Sequence, residues 1–215
     1  EERDFEIAKG VKMKFCWIPA GKAMLGSPKT EEGRGDDEKE HEYETKGFWL
    51  GKYEVTQAQW EVVMGDNPSM FKGAKLPVEN VSWDDCQKFI NECTLKNLSL
   101  PHEDQWEYAA RAGLGNKRAY YWGDTLHAEA NCNNTQTTEV GSFERKAKHP
   151  WGLCDMAGNV REWCANVDNK EPTQRVLRGG SWYGNPVECR SASRYGFAPD
   201  IPSDVYGFRI CLASE

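Results

Sequence analysis

The chain has no apolar run approaching the ~20 residues that cross a bilayer, and charged residues make up 28% of its 215 positions. No membrane span is expected. It lacks a positive balance: Asp and Glu outnumber Lys and Arg by 34 to 27, a formal net charge of -7. That excess argues against a nucleic-acid binder held by phosphate contacts. None of its eight cysteines forms a C-x-x-C pair, which weakens a zinc or thioredoxin-like reading. Buried thiols, with one or two disulfides, are the plainer expectation. Its four histidines, His41, His102, His127 and His149, are scattered. There is no H-E-x-x-H, no G-x-S-x-G elbow, no P-loop and no G-x-G-x-x-G after a strand. The opening EERDFEIAKG is not a signal peptide, which fits a cytoplasmic protein or the mature part of an exported one.

Nine Trp, eight Tyr and twenty Gly are the conspicuous surplus. They point to a loop-rich fold held by aromatic clusters. A chain of this length buries roughly 70% of its unfolded surface, enough for a real core. Residues 11–20 read as a strand with Met13, Phe15 and Trp17 on one face, and 47–55 as a second. Thr30–Glu44 is rich in Asp, Glu and Gly and reads as a solvated loop, with an acidic metal site as the lesser alternative. Three helices carry start signals. The first is capped by Thr56 with Gln59 and turns Trp60, Val63 and Met64 inward before Gly65. The second starts at Ser82 with Asp85, and Trp83, Cys86, Phe89, Ile90 and Cys93 follow at helical spacing. Its acidic first turn, Asp84 and Asp85, suits the helix dipole better than acid–base chemistry. The third follows Pro101 and carries Trp106, Tyr108, Ala109 and Ala110. Beyond residue 114 helical periodicity stops, leaving short apolar pieces at Val140, Val160–Trp163 and Val176–Leu177.

Seven segments then occur in order: PAGKAMLGS (19–27), GKYEVTQAQW (51–60), LPVENVSWDD (76–85), LPHEDQWEYAARAG (100–113), GLCDMAGNVREW (152–163), RVLRGGSW (175–182) and YGFRICLA (206–213). Together they resemble the formylglycine-generating-enzyme (sulfatase-modifying factor) family over nearly the whole chain. The resemblance implies an α+β, C-type-lectin-like fold with little regular secondary structure. It divides the chain into an N-terminal extension, 1–10, and one domain, 11–215. The chain departs from the family pattern at Cys154, where Tyr is frequent, and at Arg161, where Trp is frequent.

The enzymes of that family hold copper between two cysteines, the third and eighth residues beyond the GGS serine. Here that serine is Ser181, the third residue on is Gly184 and the eighth is Cys189. Soft Cu(I) wants both sulfurs, so a copper-dependent oxidase is the disfavoured alternative and no catalytic residue is expected. An iron-using branch of the family draws histidines from an extra domain for which this chain has no room. Asn159 and Glu162 are the weak candidates for a structural calcium ion; the competing reading has Asn159 bonding loop backbone. No other cofactor is expected.

The stretch 175–213 resembles the variable region of proteins diversified by bacterial retroelements. There miscopied template adenines turn AAC codons into N-N-C codons, which cannot encode Glu, Lys, Gln, Met or Trp. From Cys189 to Arg209 none of those five occurs. A Gly/Pro loop that simply avoids long side chains is the alternative. On the first reading the ligand-binding residues are Tyr183, Gly184, Asn185, Val187, Ser193, Tyr195, Gly196, Phe197, Ala198, Ile201, Ser203, Asp204, Val205 and Tyr206. Their mix of aromatic and small polar side chains is that of antibody paratopes. Trp163 and Trp182 are expected beneath that face, with Arg178 and Arg194 paired to carboxylates. Cys86 is expected near Cys211, because the family has a bridge in that neighbourhood. The expected partner is a protein or cell-surface ligand, met by a monomer. The expected location is the bacterial surface, after export, with any lipid anchor on residues before Glu1.

Overall fold

A computed structural model describes residues 1–213; Ser214 and Glu215, the end of the 11–215 span, lie outside the described residues. In chain order the elements are β1 (Glu2–Ala8), β2 (Val11–Ile18), β3 (Gly21–Leu25), β4 (His41–Thr45), β5 (Phe48–Gly51), α1 (Gln57–Met64), α2 (Trp83–Glu92), β6 (Leu98–Ser99) and α3 (Glu103–Ala110). There follow β7 (Arg161–Val167), β8 (Arg175–Arg178), a 3-10 turn (Pro186–Cys189), β9 (Arg194–Phe197), β10 (Tyr206–Gly207) and β11 (Cys211–Ala213). One sheet runs β1-β2-β5-β11-β6, a second β10-β7-β8-β9, and β3 pairs with β4 alone.

The capping signals place the helices. Thr56 accepts from Gln59 N while the Gln59 side chain accepts from Thr56 N, and Ser82 and Asp85 do the same for α2. Each box satisfies two backbone donors that a helix start would otherwise leave unpaired. His102 caps α3 through its own box with Gln105, outside the usual Ser, Thr, Asp and Asn set. Val140 joins none of the strands.

Residues 1–10 are not an appendage. β1 pairs antiparallel with β2 from Glu2↔Cys16 to Ala8↔Val11. Its polar, mostly exposed face hides the strand from pattern reading, yet Ile7 is fully buried and Phe5 meets Phe15 and Trp49 edge to face at 5.4 Å. Nor is the whole of Thr30–Glu44 solvated. Glu38 is buried because Arg190 and the Ser27 hydroxyl both bond its carboxylate.

The core has two main parts. Phe15, Trp60, Phe89, Trp163 and Phe208 pack with α1 and α2 on one side, and Ile18, Leu50, Trp106, Met156 and Val176 with α3 on the other. Cys86 belongs to the first part and Cys211 to the second; all eight cysteines are free thiols. No disulfide joins Cys86, expected near Cys211, to that residue.

Arg209 and Glu162, both fully buried, lie at the heart of the molecule. Arg209 Nε and Nη2 bond the two Glu162 carboxylate oxygens at 2.6 and 2.7 Å. The remaining guanidinium hydrogens reach the carbonyls of Gly51, Lys52 and Cys154 at 3.0, 3.3 and 3.0 Å. Trp106 Nε1 donates to Glu162 at 2.7 Å. Three stretches of chain, at 51–52, 154 and 162, are thus tied together by one guanidinium.

Removing one partner leaves a buried charge without compensation, at a cost of about 3–5 kcal/mol. Glu162→Ala is therefore expected to lower the urea midpoint drastically or prevent folding. Lys22→Ala, which breaks an exposed pair with Glu44, is expected to change stability by less than about 1 kcal/mol. Equilibrium denaturation of both variants checks the contrast.

Candidate functional site

The predicted face is built on a bed of arginines. Arg178, on β8, bonds Glu107 at 2.9 Å and the carbonyls of Ser191 and Ser193. Arg194 grips Glu103 with two bonds of 2.8 and 3.0 Å. Burial alone would raise the Glu103 carboxyl, but Arg178 and Arg194 overcome it and hold the group at about 2. Arg190 reaches Glu38, Glu31 and the Gly33 carbonyl. These pairs anchor the backbone within the segment read as variable.

Tryptophans lie beneath, as their sequence context suggested. Trp163 meets Tyr206 edge to face at 5.3 Å, and Tyr206 in turn meets Phe197 at 5.3 Å. Trp182 lies between Phe71 and Tyr183, at 5.3 and 5.6 Å, and donates from Nε1 to the Asp204 carbonyl. Arg161 occupies the middle: its guanidinium stands 4.7 Å from the Tyr195 ring centre and pairs with Glu188.

Above this bed the predicted residues divide. Tyr183 is 73% exposed, Ile201 47%, Val187 39%, Phe197 37% and Tyr195 36%; Asn185 is exposed as well. Tyr195 and Phe197 share one face of β9, as alternation requires. Ala198, Ser203 and Asp204 are half-buried. The Ser203 and Asp204 carbonyls accept from Asn80 N and Trp182 Nε1, so the backbone there is tied down.

Three residues expected at the tips turn inward, and two glycines cannot vary freely. Tyr206 is only 8% exposed because its ring fills the space between Trp163 and Phe197. Ser193 is 5% exposed, its carbonyl held by Arg178. Val205 packs against the core, and its carbonyl accepts from Arg161 N. Gly184 is buried, and a Cβ there would come 2.8 Å from Glu188 Oε2. At Gly196 a Cβ would meet Gln174 and Asp168 oxygens at 2.5 and 2.6 Å.

Sequence reading missed two neighbours of the face. Phe71, beside Trp182, and its chain neighbour Met70, 65% exposed, lie on the loop after α1. An apolar pair flanked by Asn67–Pro68 and Gly73 was the available signal. That loop hangs on Glu79, which is fully buried; one carboxylate oxygen accepts from Phe71 N at 2.9 Å and the other has no partner. Burial pushes the Glu79 carboxyl up to about 7, against the hydrogen bonds from Phe71 and Met70, with Asp204 adding to the rise.

The metal readings fail on geometry. Asn159 Oδ1 already accepts from Asn131 Nδ2 and Thr138 N, and its Nδ2 donates to Glu54 and the Thr138 carbonyl. Both Glu162 oxygens face Arg209, which repels a cation. Calcium does not fit these two residues, whose roles are structural. Copper does not fit Gly184 and Cys189 either: the first has no sulfur, and the second is fully buried against the Gly180 backbone, with no open position for a substrate. Among the described residues no group of three or more His, Cys, Asp or Glu is disposed to hold a metal ion. No helix among them is long and apolar enough to cross a membrane.

Known proteins of similar sequence and shape frame this geometry. The model of the sulfatase-modifying factor enzyme 1-like domain matches residues 5–214. The chain is 32% identical to the chaperone protein LppX of Paenibacillus barcinonensis, covering 71% of this chain and 77% of that protein. It is 31% identical to the inactive C-alpha-formylglycine-generating enzyme 2 of Bos taurus, over 75% of this chain and 58% of the relative. Proteins named formylglycine-generating enzyme match too, and the chain spans little more than half the length of several such relatives. The solved variable protein 1 of Treponema denticola superposes with a TM-score of 0.83 at 24% identity, covering 99% of both chains. At that identity the likeness shows the fold.

The raised Glu79 carboxyl predicts a pH effect. A carboxyl that binds its proton more tightly when folded stabilises the fold at low pH. That stability is fully present below about 4.5, where the unfolded group is protonated, and is lost as pH rises to about 7. Glu79→Gln is expected to remove this slope, at most about 1.4 kcal/mol per pH unit, because its amide can take the unpartnered position. Urea titrations between pH 4.5 and 8 measure it; equal slopes in both proteins would contradict the assignment.

Proposed function

The chain belongs to the sulfatase-modifying factor enzyme 1-like family, and we propose that it is a non-enzymatic member whose C-terminal face binds a protein partner. One observation carries the reading. Tyr183, Val187, Tyr195, Phe197 and Ile201 are all exposed within one short segment, while Arg178, Arg190 and Arg194 hold the backbone beneath them to buried carboxylates. Rigid aromatic tips on a stiff backbone lose little entropy on contact. Met70 extends the face. Exposed apolar side chains gathered in one place are otherwise a liability for a soluble surface.

The restricted residue set from Cys189 to Arg209 supports retroelement diversification as the source of the tips. On this reading the freely exchangeable positions are Tyr183, Asn185, Val187, Tyr195, Phe197, Ala198 and Ile201. Ser193, Gly196, Val205 and Tyr206 belong to the support. Display at the bacterial surface, where partners are met, completes the proposal. Oxidation at copper is the weaker reading, since Gly184 takes the place of a ligand.

The same gene in sister strains tests the diversification: differences should fall on the seven exchangeable codons, and identical residues there would refute it. Purified protein tests the division of labour. Tyr183→Ala with Ile201→Ala should leave stability within about 0.5 kcal/mol yet abolish capture on an array of purified bacterial surface proteins. Tyr206→Ala should cost about 3 kcal/mol or more. Unchanged capture by the double variant would end the proposal.

A further inference from the structure

Of the eight thiols, seven are buried and only Cys132 is partly open to solvent. Cys132 lies in the long loop after α3, far in sequence from Cys189 in the 3-10 turn. The fold brings them together: Cys189 packs with Ala119, Tyr120 and Ala157, and Cys132 packs against that same cluster. The meeting is built by the backbone. Asn133 N and Asn134 N donate to the carbonyls of Gly184 and Trp182 at 2.8 and 2.7 Å, so residues 133–134 run along 182–184. On the other side of the turn Ser191 N donates to the Ala119 carbonyl at 2.8 Å, and the Tyr120 hydroxyl donates to the Pro186 carbonyl. Residues 119–134 therefore embrace the 3-10 turn from two sides. Cys189 is also pressed from behind, since a Cβ on Gly180 would come 2.4 Å from its sulfur.

We infer that Cys132 and Cys189 form a reversible disulfide that clasps the 119–134 loop onto the base of the exposed face. The step balances with a small-molecule disulfide, such as oxidised glutathione, as oxidant. The half-open Cys132 sulfur attacks one sulfur of that disulfide and releases the first thiol. Cys189 then attacks the Cys132 sulfur of the mixed disulfide and releases the second. Two protein thiols lose two electrons and two protons, and one oxidant molecule becomes two thiols. The Cys189 side chain lowers the Cys132 thiol and is itself raised by Cys132, which suits Cys132 to the attacking role. The clasp would fix the turn that carries Tyr183 to Val187 without touching a tip, so it goes beyond the binding proposal and stands or falls separately from it.

The test uses the full chain, equilibrated with oxidised and reduced glutathione, then unfolded and alkylated without reductant. Six alkylated cysteines instead of eight, and a linked peptide pair containing Cys132 and Cys189, are expected. Tm should rise by several degrees in the oxidised protein, and reductant should reverse the rise. Cys132→Ser, at a partly open position where folding tolerates it, should keep all seven remaining thiols free and lose the redox dependence of Tm. Eight free thiols after oxidation, glutathione left on Cys132 unresolved, or a linkage to any other cysteine would overturn the inference. None of these results depends on whether the face binds a partner.

Discussion

A single guanidinium in a dry interior, Arg209, has all its donors committed, and much of the remaining structure is arranged around that commitment. A fold with short strands and three short helices leaves many loop carbonyls that no ladder can satisfy. Arg209 takes three of them, from Gly51, Lys52 and Cys154, and meets a carboxylate with the rest. A neutral residue could fill the volume but not the hydrogen bonds. The pair Arg209–Glu162 is costly to desolvate, yet it specifies how β5, β7 and the loops around 51–54 and 152–156 meet. Two of the segments that resemble the family, GLCDMAGNVREW and YGFRICLA, carry this pair.

The same device recurs closer to the surface with a different consequence. Arg178, Arg190 and Arg194 all come from the C-terminal third, and all but one of their carboxylate partners come from the N-terminal half: Glu31, Asp37, Glu38, Glu103 and Glu107, with Asp168 the exception. Each bond fixes backbone next to an exposed side chain and leaves the side chain itself alone. On β9 the alternation is direct: Arg194 turns toward Glu103, while Tyr195 and Phe197 face out. Stability and display are thereby assigned to different residues of one strand. That separation is what allows tips to change chemistry without opening cavities in the core.

How much of this was legible in the sequence depended on whether a local rule governed the residue. The helix starts at Thr56 and Ser82 obey a capping rule, and the structure has them where the rule puts them. Trp163, Trp182, Arg178 and Arg194 were readable as support because large aromatics and paired arginines have few other places to go. The inward turn of Ser193, Val205 and Tyr206 was not readable. A set of allowed residue types says nothing about direction, and the loop from 198 to 205 has no period that would supply it. β1 was missed for the converse reason: its mostly exposed residues obscure a strand at the edge of the sheet, in which Ile7 alone is fully buried. The meeting of Cys132 with Cys189 depends on loop-to-loop hydrogen bonds, which no spacing rule describes.

A shared frame also limits what resemblance can say about chemistry. The relatives include proteins named as enzymes and two named as inactive, so family membership by itself does not decide between the two. Whatever distinguishes them must lie where the frame does not dictate the side chain. In this chain those places are the turn 183–189 and the strand and loop 195–201. At the first, Gly184 offers no sulfur and is too enclosed to accept one without moving Glu188. At the second, Tyr195, Phe197 and Ile201 stand in solvent, with Asp200 exposed in the same stretch. Rigid apolar tips above a paired arginine suit contact with a partner surface, which is the use proposed for them.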